Sequence, residues 1–442
     1  MSDSRRFLSA LGVLAVPVMM QSLLSQAIGA ADTLMLSAVG QDQLSAVSLA
    51  NQLFFVLNLF FTGLTGSTAI MLSQYMGRKD DVRVRRIFTM ACMTSECVCA
   101  VFALAAVFAA PAVMRLLTNE AVLIAEGSAY LRLVGISYLF MGISQIYLVL
   151  LKSRQESHRS MMIGVMTLVL NLILNAVFIF GLFSAPKLGT RGGAIATCIA
   201  RACELLACIA DMQLRKRNVI CRQFEAALFR DFARICGPLT VQGFVWGGAM
   251  AVISAIMGHL GSDVVAAHAV AAVVQNIATV ASFGLAEAGS ILLGKSLGAG
   301  EFERAKADSR LLVIASVIFG IIGCVVMLLC EGIVIRAVTL TPQAQRCLGV
   351  MYKMLAANSV FAAITYTMLC GVFPAGGDTR YGLILDGCVM WSLVALGSVA
   401  AFVLKLDPVI VFAVLSVDEL TKTPLVLLRY KKGTWIRNIT RG

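Results

Sequence analysis

The sequence predicts an all-α polytopic membrane protein with twelve transmembrane helices in two pseudo-symmetric six-helix bundles. Three observations predict this class. Hydrophobic residues make up 59% of the 442 residues and charged residues only 14%, whereas a soluble domain carries roughly 25% charged residues to wet its surface. The apolar residues fall into runs longer than the ~18 needed to cross a bilayer, too many for a single anchor. The second half of the chain also repeats the first.

The runs lie at about 11–36, 46–72, 87–113, 129–151, 161–184, 192–214, 236–258, 264–293, 311–335, 351–373, 382–404 and 408–428. Span 1 follows MSDSRR, a basic opening with no clear small-residue cleavage site after it, so it reads as a cytoplasmic leader into the membrane. Spans 1 and 7 carry Pro17 and Pro238 a turn or two from their starts, where a missing N–H would loosen the helix. Neighbouring groups in a membrane bundle can satisfy the freed carbonyl. Twelve spans place both termini on one side.

Basic residues alternate from loop to loop. Twenty-six of the 36 Lys and Arg fall on one side, eight on the other, and Arg201 and Lys422 lie inside spans. The largest basic cluster on the rich side is Arg215, Lys216, Arg217, Arg222, Arg230 and Arg234. By the positive-inside rule both termini are cytoplasmic, in an inner or plasma membrane. The net charge of +12 is therefore largely a topology signal. It is spread over seven segments without an RNA- or DNA-binding motif, which excludes a nucleic-acid partner.

Other classes fail on chemistry. The 13 Cys are odd in number and lie mainly in apolar segments, with no CxxC pair or His partner at metal spacing, so they read as small core residues. No HExxH, GxSxG, paired-Asp motif or nucleotide loop appears, and His158, His259 and His268 are scattered. No enzyme and no cofactor are expected.

An offset of 221 residues lays the second half on the first for about 70 residues without a gap. Pro17 meets Pro238, Gln21 meets Gln242, Gly40 meets Gly261, Gly63 meets Gly284 and Gly77 meets Gly298. Turn residues falling on turn residues in constant register are hard to obtain by chance. Residues 1–214 then form an N-terminal bundle, 215–235 a cytoplasmic linker, and 236–442 a C-terminal bundle with a basic tail. Parallel repeats of this kind suit alternating access to a substrate site near mid-membrane.

Charged residues inside a span cost several kcal/mol unless paired or hydrated, so each is a functional candidate. Asp32 lies about eight residues, roughly 12 Å, inside the face marked by Gly40. Asn171 and Asn175 stand one turn apart in span 5, and Thr197 enters span 6 at a similar depth. These four oxygen-bearing side chains suit Na+, and the carboxylate alone suits a proton. The repeat places Ile253, Ser392, Leu396 and Phe412 at the matching positions, which confines such a site to the first half. Amides and hydroxyls also glue membrane helices together by hydrogen bonds. Arg201 has two candidate partners, Asp32 at its own depth and Glu204 at i,i+3. Glu287 and Asp386, with Gln21, Gln26 and Gln242, are candidates for a substrate cavity that attracts cations, and Glu419 pairs locally with Lys422.

Several motifs together resemble one family. They are the run Pro17 to Gly40 centred on Ala31-Asp32-Thr33, Ser73-Gln74-Tyr75-Met76-Gly77 closing span 2, Asn171-x3-Asn175, Gly192-Gly193-Ala194-Ile195-Ala196-Thr197, and Gly376-Gly377-Asp378-Thr379. The chain is similar in these to the multidrug and toxic compound extrusion (MATE) family, closest to its DNA-damage-inducible protein F type branch. The resemblance implies a V-shaped pair of six-helix lobes that export drugs or other organic, often cationic, compounds in exchange for Na+ or H+. It also implies that Asp32, Asn171 and Thr197 belong to the cation site. At position 175 this chain has Asn where that branch has Asp, which leaves the coupling ion open. The other large branch places acids in spans 7 and 10, and the region Ala362 to Tyr366 has none.

The expectation is thus a secondary antiporter, a monomer in the lipid bilayer, whose partners are a small organic substrate and a coupling cation. The alternative is a flippase of lipid-linked oligosaccharide or peptidoglycan precursors, disfavoured because the intramembrane charge is mainly acidic where pyrophosphate needs a cationic cavity.

Overall fold

The computed structural model describes residues 3–441 apart from 185, 217, 218, 222, 338 and 339. Met1 and Ser2 of the opening and Arg217 and Arg222 of the basic connection lie outside the described residues. Among the described residues the regular structure is helical, with no strand.

The helices in chain order are α1 (Asp3–Ser37), α2 (Gln41–Gly77), α3 (Asp81–Phe108), α4 (Ala110–Leu117), α5 (Ala121–Ser153), α6 (Ser157–Phe180), α7 (Thr190–Leu214) and α8 (Ala226–His259). They continue as α9 (Ser262–Gly298), α10 (Phe302–Ala337), α11 (Pro342–Tyr366), α12 (Phe373–Ala375), α13 (Thr379–Ser398), α14 (Pro408–Ser416) and α15 (Asp418–Lys431). A π-helical segment, Thr367–Val372, joins α11 to α12, and another, Val399–Val403, extends α13. Helices α1 and α8 run through Pro17 and Pro238 without interruption.

Among the described residues, eleven helices have the length and hydropathy to cross a membrane. The twelfth run, expected as one span over 408–428, is instead two helices, α14 and α15, parted at Val417. Each of the two helices starts beside a carboxylate. Asp407 caps α14 by accepting from the Val409 N–H at 2.8 Å, and Asp418 and Glu419 open α15, where carboxylates suit the positive end of a helix dipole.

Contacts divide the chain into two compact units. One comprises Met20–Leu72 and Asp80–Cys236. Its centre is α5: 67% of its most apolar window is buried, against 22–33% in α2, α3, α6 and α7. Such a helix is wrapped by its neighbours, whereas the others leave a face for lipid. Helices α3 and α7 pack against α5, around Leu57, Cys99, Leu131, Val134, Tyr138 and Met141. The segment after α7 lies against α3: the Cys221 N–H donates to Thr89 Oγ1 at 2.9 Å, and Arg86 pairs with Glu225 at 2.6 Å. The last part of the expected linker, 226–235, is already helix α8, because Leu228, Phe232 and Ile235 recur at helical spacing and are buried.

The other unit comprises Met1–Met19, Ser73–Lys79 and Gly237–Gly442. Its most buried span is Pro342–Ala375, made of α11, the π-helical segment and α12, with 61% of its most apolar window buried. Ala121 and Pro342, which open α5 and α11, are separated by the same 221-residue offset as the repeat. Helices α9 and α10 pack on α11. In this unit the end of α2 crosses the end of α9 at close range. A Cβ added at Gly294 would strike Ser73 Oγ, one at Gly77 would strike the Lys295 carbonyl, and one at Gly298 would strike the Gln74 carbonyl. The C-terminal segment closes over that crossing: Gln74 Nε2 donates to the Ala375 carbonyl at 2.6 Å, the Ile439 N–H donates to Gln74 Oε1 at 2.9 Å, and Trp435 is buried.

Candidate functional site

Three helices of the first unit bring the four oxygen-bearing residues together. Asn175 Nδ2 donates to Asp32 Oδ1 at 2.8 Å and to Asn171 Oδ1 at 3.3 Å. Asn171 Nδ2 donates to Thr197 Oγ1 at 3.3 Å, and Thr197 donates to the Gly193 carbonyl at 3.0 Å. The one-turn spacing of Asn171 and Asn175 on α6 turns both amides the same way. Gly192, at the start of α7, sits on the Phe178 carbonyl where a side chain would not fit, which brings Thr197 within reach of α6. Asn175 is buried, and its Oδ1 has no hydrogen-bond partner among the described residues. That oxygen lies toward Gly193.

The donor set fits a small cation in kind: one carboxylate, amide oxygens and a hydroxyl are hard oxygen ligands. An orphaned buried amide oxygen costs about 1–3 kcal/mol, which a bound cation would offset. As arranged, however, an N–H of Asn175 occupies the direction of Asp32 Oδ1 that a metal ion would need.

The choice left open for Arg201 falls to Glu204. Arg201 Nη1 lies 2.7 Å from Glu204 Oε2, and Glu204, 1% exposed, also accepts from Gln145 Nε2 at 3.1 Å. Arg201 therefore does not pair with Asp32. Gln21 packs on Gly164 of α6, and Gln26 is exposed.

The second unit corrects the expectation for Asp386. Rather than lining an open cavity, Asp386 is 6% exposed and sits 3.0 Å from Lys422 Nζ, with Gln242 Nε2 donating to its other oxygen at 2.6 Å. Lys422 also reaches Asp418 at 3.2 Å and Glu419 at 3.6 Å, and Thr365 donates to Glu419. A lysine and three carboxylates thus form a buried network across α13 and α15, with α8 and α11 contributing Gln242 and Thr365. Sequence reasoning found only the Glu419–Lys422 part. A lone lysine inside an apolar run was the signal for the rest, since such a charge needs more than one local partner. Glu287 is half-buried on α9.

A family model, MatE, matches residues 17–177 and 238–399. The chain belongs to the MatE family. Its two matched tracts begin at Pro17 and Pro238, the pair that the internal repeat aligns. A MatE protein is a membrane transporter and not an enzyme. Among its relatives, this MatE chain is 24% identical over 437 residues to the probable multidrug resistance protein NorM of Thermotoga maritima, covering 96% of this chain and 92% of that one. It is 27% identical over 325 residues to the probable multidrug resistance protein NorM of Rhizobium meliloti, covering 72% and 69%. In fold it is similar to a crystal structure of MATE in complex with MaL6, with a TM-score of 0.88 at 17% identity, covering 98% of this chain and 99% of that one.

Proposed function

We propose that this transporter is a cation-coupled antiporter that exports small organic, drug-like compounds, with the coupling ion acting at Asp32. The proposal carries with it the two-bundle organisation over 1–214 and 236–442, cytoplasmic termini, and the DNA-damage-inducible protein F type branch. The resistance names of the relatives support efflux. The single observation that carries the coupling is the hydrogen-bonded chain Asp32–Asn175–Asn171–Thr197.

The chemistry of that chain favours H+ over Na+. A primary amide presents a donor on one side and an acceptor on the other. Asn175 donates an N–H to the ionised carboxylate, and after half a turn its oxygen accepts the O–H of the protonated acid. Both protonation states of Asp32 are then hydrogen-bonded, and the proton exchanges without stranding a buried charge. With one carboxylate in place of two, the electrostatic attraction for Na+ is weaker. In the cycle, the proton and the substrate favour different conformations, since a ligand shifts an equilibrium only by its differential affinity for the two states.

The test is export of a fluorescent drug from proteoliposomes under an imposed pH gradient, then under an imposed Na+ gradient. Acceleration by the pH gradient alone supports the reading. Acceleration by Na+ alone reassigns the ion, and indifference to both removes the coupling.

A further inference from the structure

Within the first unit a cavity of about 300 Å3 opens beside Arg201. Helix α2 lines it with Asn58, Phe61, Thr62 and Thr65, helix α5 with Met141 and Gln145, and helix α7 with Arg201. The volume lies at the lower end of the range for small-molecule sites.

The hydrogen-bond inventory of the wall is uneven. Thr62 and Thr65 spend their hydroxyl protons on the Asn58 and Phe61 carbonyls, and Asn58 Nδ2 donates to the Phe54 carbonyl. Gln145 Nε2 donates to Glu204. The α2 side therefore presents chiefly acceptor oxygens, and the strong donor on the wall is the guanidinium. Of its five N–H groups, one donates to Glu204 in the described structure, and the side chain remains 26% exposed. Glu204 touches this wall through Arg201 and Gln145, which already satisfy it. Among the described residues, no carboxylate lines the cavity.

We infer that this cavity binds the carboxylate of an organic acid on the free edge of Arg201, with donors of the same ligand on the amide and hydroxyl oxygens of α2 and its apolar body against Phe61 and Met141. A guanidinium holds a carboxylate by two parallel N–H···O bonds, and it can face a second carboxylate on another edge. A ligand bearing a permanent positive charge would meet the guanidinium instead. The substrate class of the proposed transporter is thereby narrowed to acids or zwitterions, an inference that rests on the transport reading.

The experiment measures fluorescence anisotropy of 7-hydroxycoumarin-3-carboxylate and of its carboxamide with the purified full chain. The acid binds roughly tenfold or more tightly than the amide, the effect of one charge-assisted pair. In Arg201→Gln the two bind within about twofold, and in Arg201→Lys the preference is intermediate. Glu204→Gln, which removes the competing carboxylate, strengthens the acid several-fold, an outcome that a purely structural ion pair would not give. Asn58→Asp adds an acid to the opposite wall and removes the preference while leaving the Arg201–Glu204 pair intact, so the idea stays testable if Arg201→Gln does not fold. Equal binding of acid and amide to the unmodified protein overturns the inference, as does a preference that survives Asn58→Asp. Gradient-driven export of a zwitterionic fluorescent drug by the same preparation reports separately on ion coupling, so either reading can fail without the other.

Discussion

Ser73 and Gly294, the residues that the internal repeat pairs, touch each other. The Ser73 hydroxyl fills the space a Cβ would need at Gly294, one turn before Gly77 and Gly298 lie against each other's helices in reciprocal fashion. An equivalent residue contacting its own equivalent is the mark of an isologous contact, here made within one chain. The local pseudo-two-fold therefore passes close to Ser73 and Gly294.

This reciprocity predicts matched effects. Gly77→Ala and Gly298→Ala each drive a methyl group onto a backbone carbonyl and should cost about 1–3 kcal/mol of stability. Gly323 in α10 has nothing within 4 Å of an added Cβ, and Gly323→Ala should stabilise slightly, by up to ~1 kcal/mol. Thermal unfolding of the three variants in detergent, followed by loss of monodisperse protein, checks the ranking.

Asp32→Asn should abolish gradient-driven export while leaving insertion and folding intact. The carboxamide keeps the size of the carboxyl but neither ionises nor takes up a proton. Vesicle transport and yield of folded protein separate the two properties. Normal gradient-driven export by the variant would take Asp32 out of the mechanism.

Asn175→Asp removes the N–H that now faces Asp32 and adds a second carboxylate. Na+ should then bind and stabilise the protein by about 2.7 kcal/mol at a concentration 100 times its Kd. The parent chain should show little such stabilisation. Melting curves in NaCl against choline chloride read the difference.

Lys422→Met leaves Asp386, Asp418 and Glu419 without their buried cation. Breaking a buried ion pair from one side costs about 3–5 kcal/mol. Adding Asp386→Asn should recover part of that loss, because one fewer carboxylate then lacks a counter-charge. A double-mutant cycle on thermal stability measures the recovery, and strict additivity would show that Lys422 and Asp386 do not interact.

Much of the candidate site was legible in the sequence. Asp32, Asn171, Asn175 and Thr197 stood out because polar groups in apolar runs are costly, and one-turn spacing put the two amides on one face. What could not be read was the direction of each hydrogen bond. Asn175 donates to Asp32 with its nitrogen and leaves its oxygen bare, and side-chain depth along a helix carries no information on that choice. The alternative partners of Arg201 were equally open, because depth alone does not distinguish a neighbour on the same helix from one across the bundle.

By itself the sequence determined the membrane class, the positions of eleven spans and the duplicated plan, and its loop charge sets the expectation for orientation. Those properties follow from runs, periodicities and sums along the chain, which are local. Tertiary structure decided which charges neutralise which. It gave Arg201 to Glu204, enclosed Asp386 with Lys422, and left Asp32 to an amide. It also broke the last run at Val417 and carried α8 back into the basic connection. The reason is physical: a buried charge is stabilised by whichever partner packing brings within about 3 Å, and that partner sits three residues away for Arg201 but 143 residues away for Asp32.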